Sequence, residues 1–345
     1  MMSNRFRSFY IVVLVQILCV ADARADGSAD PYATVQGMTI TCPQAGQVWG
    51  TDQMVETMAK LKDMGVNWVT IHPYGGISGN GNVGRGLIDR LYQESRWLTR
   101  AIDEAHALGL KIMIKPHIAY WGSQFSWRGE IEFRTDEDWD RFFSTYNEWI
   151  TTVASVTRDA DAFVVGTELD RTVHFEDQWR AIIGNVRALT NAPLTYAAGW
   201  DRFEEVRFWD DLDVIGIQAY FPLADHEDPP SQQDLDEAWS GLVNRLEGYA
   251  GELNRRILFT ELGYNRSLHA AVRPWEYQQH RDADAEAIQI RCTRAALAAL
   301  ERSDVLVGAF MWKWFPGEGQ YGNFIQSAPA VRSVISDFWK ETDAR

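Results

Sequence analysis

Short, nearly continuous apolar runs rich in β-branched residues alternate along the chain with longer amphipathic stretches. The runs cover residues 37–41, 66–72, 110–117, 162–167, 193–198, 214–220, 257–261 and 305–312. Runs of this length with both parities apolar predict strands buried on both faces, as in a parallel sheet. Residues 52–64, 90–108, 136–157, 178–189, 235–253 and 282–301 read as helices between them, and 330–340 follows the last run. The connection after the fifth run, 202–210, is short. Eight such units fill the usual length of a closed barrel. The expected class is therefore α/β, a (β/α)8 TIM barrel in one domain.

The first residues break the pattern. Arg5 and Arg7 precede an apolar run over 11–20, and Ala23-Arg24-Ala25 forms an A-x-A site before Asp26. This predicts a signal peptide over 1–25, a catalytic domain over 26–345, and export to the periplasm or the medium. The run is too short to span a bilayer, so no membrane association is expected after cleavage. The formal net charge of −15 disfavours nucleic acid and anionic lipid as partners and suits a neutral ligand. Cys42 and Cys292 lie outside any C-x-x-C or Cys/His cluster, and two buried free thiols are favoured over a disulfide.

Candidate chemistry sits at the C-terminal ends of the runs, where this barrel builds its sites. Glu168 and Glu261 each end an apolar strand after a Thr. Alternation along the strand groups Glu168 with Gly166 and Glu261 with Phe259, pointing into the barrel mouth. Cleavage of a glycosidic bond needs two carboxyl groups, one protonated near neutral pH and one ionised. Trp121, Trp127, Trp200, Trp312 and Trp314 also follow or end strands, and flat indoles pack on the C–H faces of sugars. Trp149 and Trp179 fall in helices and read as core. His72 and His117 end strands as candidate substrate contacts. Lys115 raises Schiff-base chemistry, but it lies two residues before His117 and so deeper in the barrel, which favours a structural role. Gly79-Asn80-Gly81-Asn82-Val83-Gly84 matches G-x-G-x-x-G without the strand–turn–helix context of a nucleotide site and reads as a flexible loop over the mouth. No metal or organic cofactor is expected.

From 37 to 314 the chain resembles glycoside hydrolase family 113, a family of β-mannanases among the clan A retaining glycosidases. The resemblance rests on Gly65-Val66-Asn67-Trp68-Val69, Lys115-Pro116-His117, Trp127-Arg128-Gly129, Gly166-Thr167-Glu168, Phe208-Trp209-Asp210, Ala219-Tyr220-Phe221-Pro222-Leu223 and Phe259-Thr260-Glu261-Leu262-Gly263-Tyr264, taken in order. It implies that Glu168 is the acid/base and Glu261 the nucleophile. It also implies that Tyr220 donates to the nucleophile, that Trp312 floors the cleavage point, and that His117 and Trp127 lie near substrate. The implied activity is double-displacement hydrolysis of a β-linked glycan, with β-1,4-mannan as the expected substrate. Another β-glycan, or a barrel that binds carbohydrate without cutting it, stays open as an alternative. The oligomeric state is not set by the pattern.

Overall fold

The computed structural model describes residues 34–42, 46–84, 88–226, 228–280, 282–317 and 323–343. The proposed signal segment lies outside these described residues.

Eight parallel strands close into a barrel: β1 (Val35–Ile40), β2 (Trp68–Ile71), β3 (Lys111–Ile114), β4 (Ala162–Thr167), β5 (Leu194–Gly199), β6 (Ile215–Gln218), β7 (Ile257–Leu262) and β8 (Leu306–Trp314). Each of the eight apolar runs supplies one of them. The strands neighbour one another in sequence order, and β8 returns to pair with β1 in register Val35↔Gly308 to Ile40↔Trp314. At that seam Gly308 takes φ +126, and a Cβ there would stand 2.1 Å from the Val35 carbonyl oxygen. Only glycine fits this approach.

Around the barrel lie α1 (Asp52–Lys62), α2 (Ile88–Gln93), α3 (Arg96–Ala107), α4 (Asp136–Val156), α5 (Glu176–Arg187), α6 (Gln232–Leu253), α7 (Ala283–Leu300) and α8 (Pro329–Asp343). The short connection after β5 holds two 3-10 turns and no α-helix. The stretch 90–108 is two helices instead of one. Leu91, Leu98, Ala101, Ile102 and Ala105 are all buried and keep helical spacing across the break at Glu94-Ser95. Periodicity alone therefore could not detect the break.

Inside the barrel, Val35, Trp68, Met113, Ala162, Val164, Ala197, Val214, Leu258, Val307 and Phe310 form one apolar plug. Alternate residues such as Phe163, Val165 and Phe259 face the helices instead. Runs two and three overshoot their strands. Pro73 and Pro116 interrupt the ladder because they have no N–H to donate, and pairing resumes beyond them between Tyr74–Gly76 and His117–Ala119. The Gly-rich loop is tied down. The Val83 N–H donates to Thr145 Oγ1 at 3.0 Å, Arg141 donates to the Asn80 carbonyl at 3.0 Å, and Gly84 rests on the Trp149 ring. It is a seat on α4 and not a flap. Cys42 and Cys292 are both buried, and no disulfide joins them.

Candidate active site

The plug ends one layer below the C-terminal rim, and strict alternation ends with it. On β7 one extra residue is inserted relative to both neighbours, since Ile217 pairs with Phe259 but Gln218 pairs with Glu261. Phe259 packs on Trp239 of α6, on the outside of the barrel. The bulge turns Glu261 inward, so Glu261 does not share a face with Phe259 as simple alternation predicts. β4 shows the same device. Its register with β5 shifts between Val164 and Thr167, and Gly166 faces the helix layer, where a Cβ would meet Trp179 and Tyr196. Glu168 then adopts φ +49, a left-handed backbone that costs a non-glycine residue roughly 1–3 kcal/mol. Its N–H is fixed on the Ala197 carbonyl at 2.8 Å, and the Leu169 N–H on the Tyr196 hydroxyl at 2.8 Å.

Both carboxyl groups thus enter the mouth, in different surroundings. Glu261 is buried and accepts two hydrogen bonds. Lys115 Nζ donates to Oε1 at 2.5 Å and the Tyr220 hydroxyl to Oε2 at 2.6 Å. Lys115 also donates to the Thr260 carbonyl at 3.0 Å, so it is aimed rather than free. Burial lowers the Lys115 pKa, and the charge of Glu261 opposes this. Tyr220 is pushed well up by burial and by Glu261, which keeps its hydroxyl a donor. His117 Nε2 lies 3.9 Å from Glu261 Oε1.

Glu168 is less enclosed and has one strong partner, Arg128, whose guanidinium donates to Oε2 at 2.9 Å. Burial raises the Glu168 pKa; the positive Arg128 opposes this, and the negative Glu261 adds to it. Gln218 faces the same carboxyl, its Oε1 held by the Thr260 hydroxyl at 2.9 Å. Lys115, Arg128 and Gln218 are site residues to which the sequence reading gave no part in the chemistry. The one signal was Lys115 itself, a charge placed directly after the Ile-Met-Ile that closes β3.

His72 and His117 stack at 4.9 Å under Trp312, which lies 5.3 Å from His72. Burial and the nearby Lys115 and Arg128 keep both rings well below the usual histidine pKa, hence neutral. Their nitrogens are buried without hydrogen-bond partners among the described residues. Both rings are buried in the floor of the mouth. Trp312 clusters with Tyr220 and Phe324, and Trp200 packs against that cluster. Trp121, 63% exposed, leans on Tyr74 at 4.9 Å. Trp127 folds over Gly129 beside Arg128. Trp314 departs from expectation, being buried in the main core along with Trp149 and Trp179.

A family model for Glycoside Hydrolase Family 113 matches residues 38–321. Among solved structures, a GH113 β-mannanase from Alicyclobacillus acidocaldarius, in complex with ManMIm, is 26% identical with TM-score 0.76. That match covers 90% of this chain and 99% of the other. A GH113 β-1,4-mannanase complex is 20% identical at TM-score 0.75, over 89% and 99% of the two chains. A family 5 mannosidase from Rhizomucor miehei, 11% identical at TM-score 0.61 over 90% and 93%, shares the fold. No curated protein matches in sequence.

Proposed function

The chain belongs to Glycoside Hydrolase Family 113 and is a glycosidase, and from that premise we propose that it hydrolyses β-1,4-mannan or its oligosaccharides with retention of configuration. The observation that carries the reading is the contrast between the two carboxyl groups. Glu261 receives an ammonium and a phenol on its two oxygens, while burial and the charge of Glu261 raise the Glu168 pKa and so favour its acid form.

In the first step Glu168 gives its proton to the glycosidic oxygen as a Glu261 oxygen attacks the anomeric carbon. The sugar–oxygen bond breaks and a glycosyl ester forms on Glu261. Loss of charge at Glu261 in turn makes Glu168 easier to ionise. Glu168 can then take a proton from water, which attacks the same carbon and frees Glu261. Lys115 and Tyr220 hold Glu261 in one orientation through both steps, and Trp312 offers the sugar an apolar face. The acidic surface suits a neutral glycan. The mannanase names of the similar structures support mannan over other β-glycans.

Hydrolysis of a panel of β-linked polysaccharides and oligosaccharides tests this. The expected result is cleavage of mannan, no activity in Glu261→Ala, and azide rescue of Glu168→Ala as a β-glycosyl azide. Cleavage of another β-glycan in preference would replace the substrate. An α-configured azide product would overturn retention. The N-terminal pattern supports export, and protein beginning at Asp26 in a periplasmic or culture fraction is the expected result of N-terminal sequencing.

A further inference from the structure

Gln218 is the last residue of β6 and is 1% exposed, and the two ends of its amide are treated differently. Oε1 accepts from the Thr260 hydroxyl at 2.9 Å. Nε2 is buried and closes a full hydrogen bond with no group among the described residues. Because the hydroxyl donates to the amide oxygen, the nitrogen end is left for the other side, and there it faces the Glu168 carboxyl. An N–H aimed at a carboxyl favours the ionised form. A buried donor without a partner is costly, and such a group calls for a role in another state of the site.

Thr260 owes its place to the bulge in β7. It is the extra residue between Phe259 and Glu261, and it is fully buried. Its carbonyl accepts from Lys115 at 3.0 Å, the same ammonium that donates to Glu261. Thr260 therefore serves both carboxyl groups, one through its carbonyl and the other through its hydroxyl. The Gln218 backbone is fixed as well. It pairs in register with Gly199 and Glu261, and its carbonyl accepts from the Tyr220 N–H at 2.9 Å. A donor held this firmly needs little reorganisation when charge appears on Glu168.

We propose that Gln218, aimed by the Thr260 hydroxyl, is a positioning residue for Glu168: its Nε2 donates to the carboxylate whenever Glu168 is ionised, and so eases release of the proton. This role rests on the function proposed above, which makes Glu168 the acid. Burial and Glu261 by themselves would make Glu168 a reluctant proton donor, and Arg128 and Gln218 pull the other way. Lys115 also acts on it by charge, and Asp170, Tyr196, Tyr220 and Tyr277 feel its charge in turn. Among the described residues only Arg128 closes a hydrogen bond on the Glu168 carboxyl, so the place of a second donor is open to Gln218.

The test follows kcat/KM of the full-length protein on β-1,4-mannopentaose against pH, since that ratio reports ionisation in the free enzyme. Gln218→Leu should move the alkaline limb up by about one pH unit, as for loss of one donor to a carboxylate. Thr260→Val keeps the side-chain shape but loses the hydroxyl, and should move the limb the same way by less. Thr260→Ser restores the hydroxyl and should restore the wild-type limb. A second readout needs no turnover: the 13C titration of the Glu168 side-chain carboxyl, assigned by its disappearance in Glu168→Gln, should shift together with the limb. If limb and carbon titration in Gln218→Leu and Thr260→Val superimpose on wild type, with rate lost evenly at every pH, the proposal is overturned and Gln218 only packs or meets the sugar itself. Movement to lower pH overturns it too. A carbon titration that shifts as expected in a wild type and variants that cleave no mannan supports the Gln218–Glu168 pairing and overturns the mannanase reading instead.

Discussion

Glu261 and Glu168 are the same residue type on the same barrel rim, and each is turned inward by a bulge. Their surroundings differ in one respect. Glu261 is met by two donors on its two oxygens, one of them a buried cation. Glu168 meets one guanidinium, more water and the field of Glu261. Two donors favour the anion, whereas burial with a neighbouring negative charge favours the acid. A division of labour between identical side chains can thus come from second-layer residues alone, here Lys115, Tyr220 and Arg128.

Removing a member of the pair is the harshest way to break this contrast. Glu261→Gln should cut kcat on the order of 10^5-fold, checked against an unchanged circular-dichroism spectrum. Lys115→Met comes next. It strips the buried carboxylate of its cation, and loss of a buried partner costs about 3–5 kcal/mol. Thermal unfolding should shift down accordingly, and kcat should fall as Glu261 loses the donor that aims it. An unchanged kcat would mean that Lys115 does not position Glu261. Tyr220→Phe removes one hydrogen bond to a charge, about 1.5–3 kcal/mol, and should lower kcat/KM by about 10–100-fold with little change in Tm.

Smaller effects sharpen the contrast from the other side. On the proposed mechanism Glu168 acts as the acid, so activity should fall as pH rises through its raised pKa. Arg128 works against that rise, and Arg128→Gln should move the alkaline limb of kcat/KM to higher pH; movement to lower pH would contradict the assignment. The folded state holds the Glu168 proton more tightly than the unfolded chain does. The stability this contributes is full at low pH and is lost as pH climbs through the folded pKa. Glu168→Gln should therefore be inactive and slightly more stable at neutral pH, a gain that calorimetry should find shrinking toward acid pH.

The barrel was legible because strands buried on both faces are mostly apolar, and the polar residues of the lower barrel, such as Gln36, Lys111 and Thr195, are too few to break the runs. Legibility fell where the rim begins. Strict alternation groups Glu261 with Phe259 and Glu168 with Gly166, and both groupings fail because each strand carries an extra residue there. The place of Glu168 and Glu261 at the rim was legible because a charged residue ending an apolar run is visible in one dimension. Arg128 was invisible as a partner because it arrives from a loop 40 residues away in sequence. His72 read as a sugar contact from its place at a strand end, but its ring is sealed beneath Trp312.

The seam at Gly308 sets a timetable. β1 finds its second neighbour only when β8 is available, some 270 residues later in the chain, so closure is among the most non-local events in folding. Trp312 belongs to that last strand, and Tyr220 and the His72–His117 stack rest against it. A nascent chain that has made both carboxylates still has no floor under the sugar. Hydrolytic competence should therefore appear only with the final strand, and a methyl group at position 308 should delay or abolish it by holding the seam open.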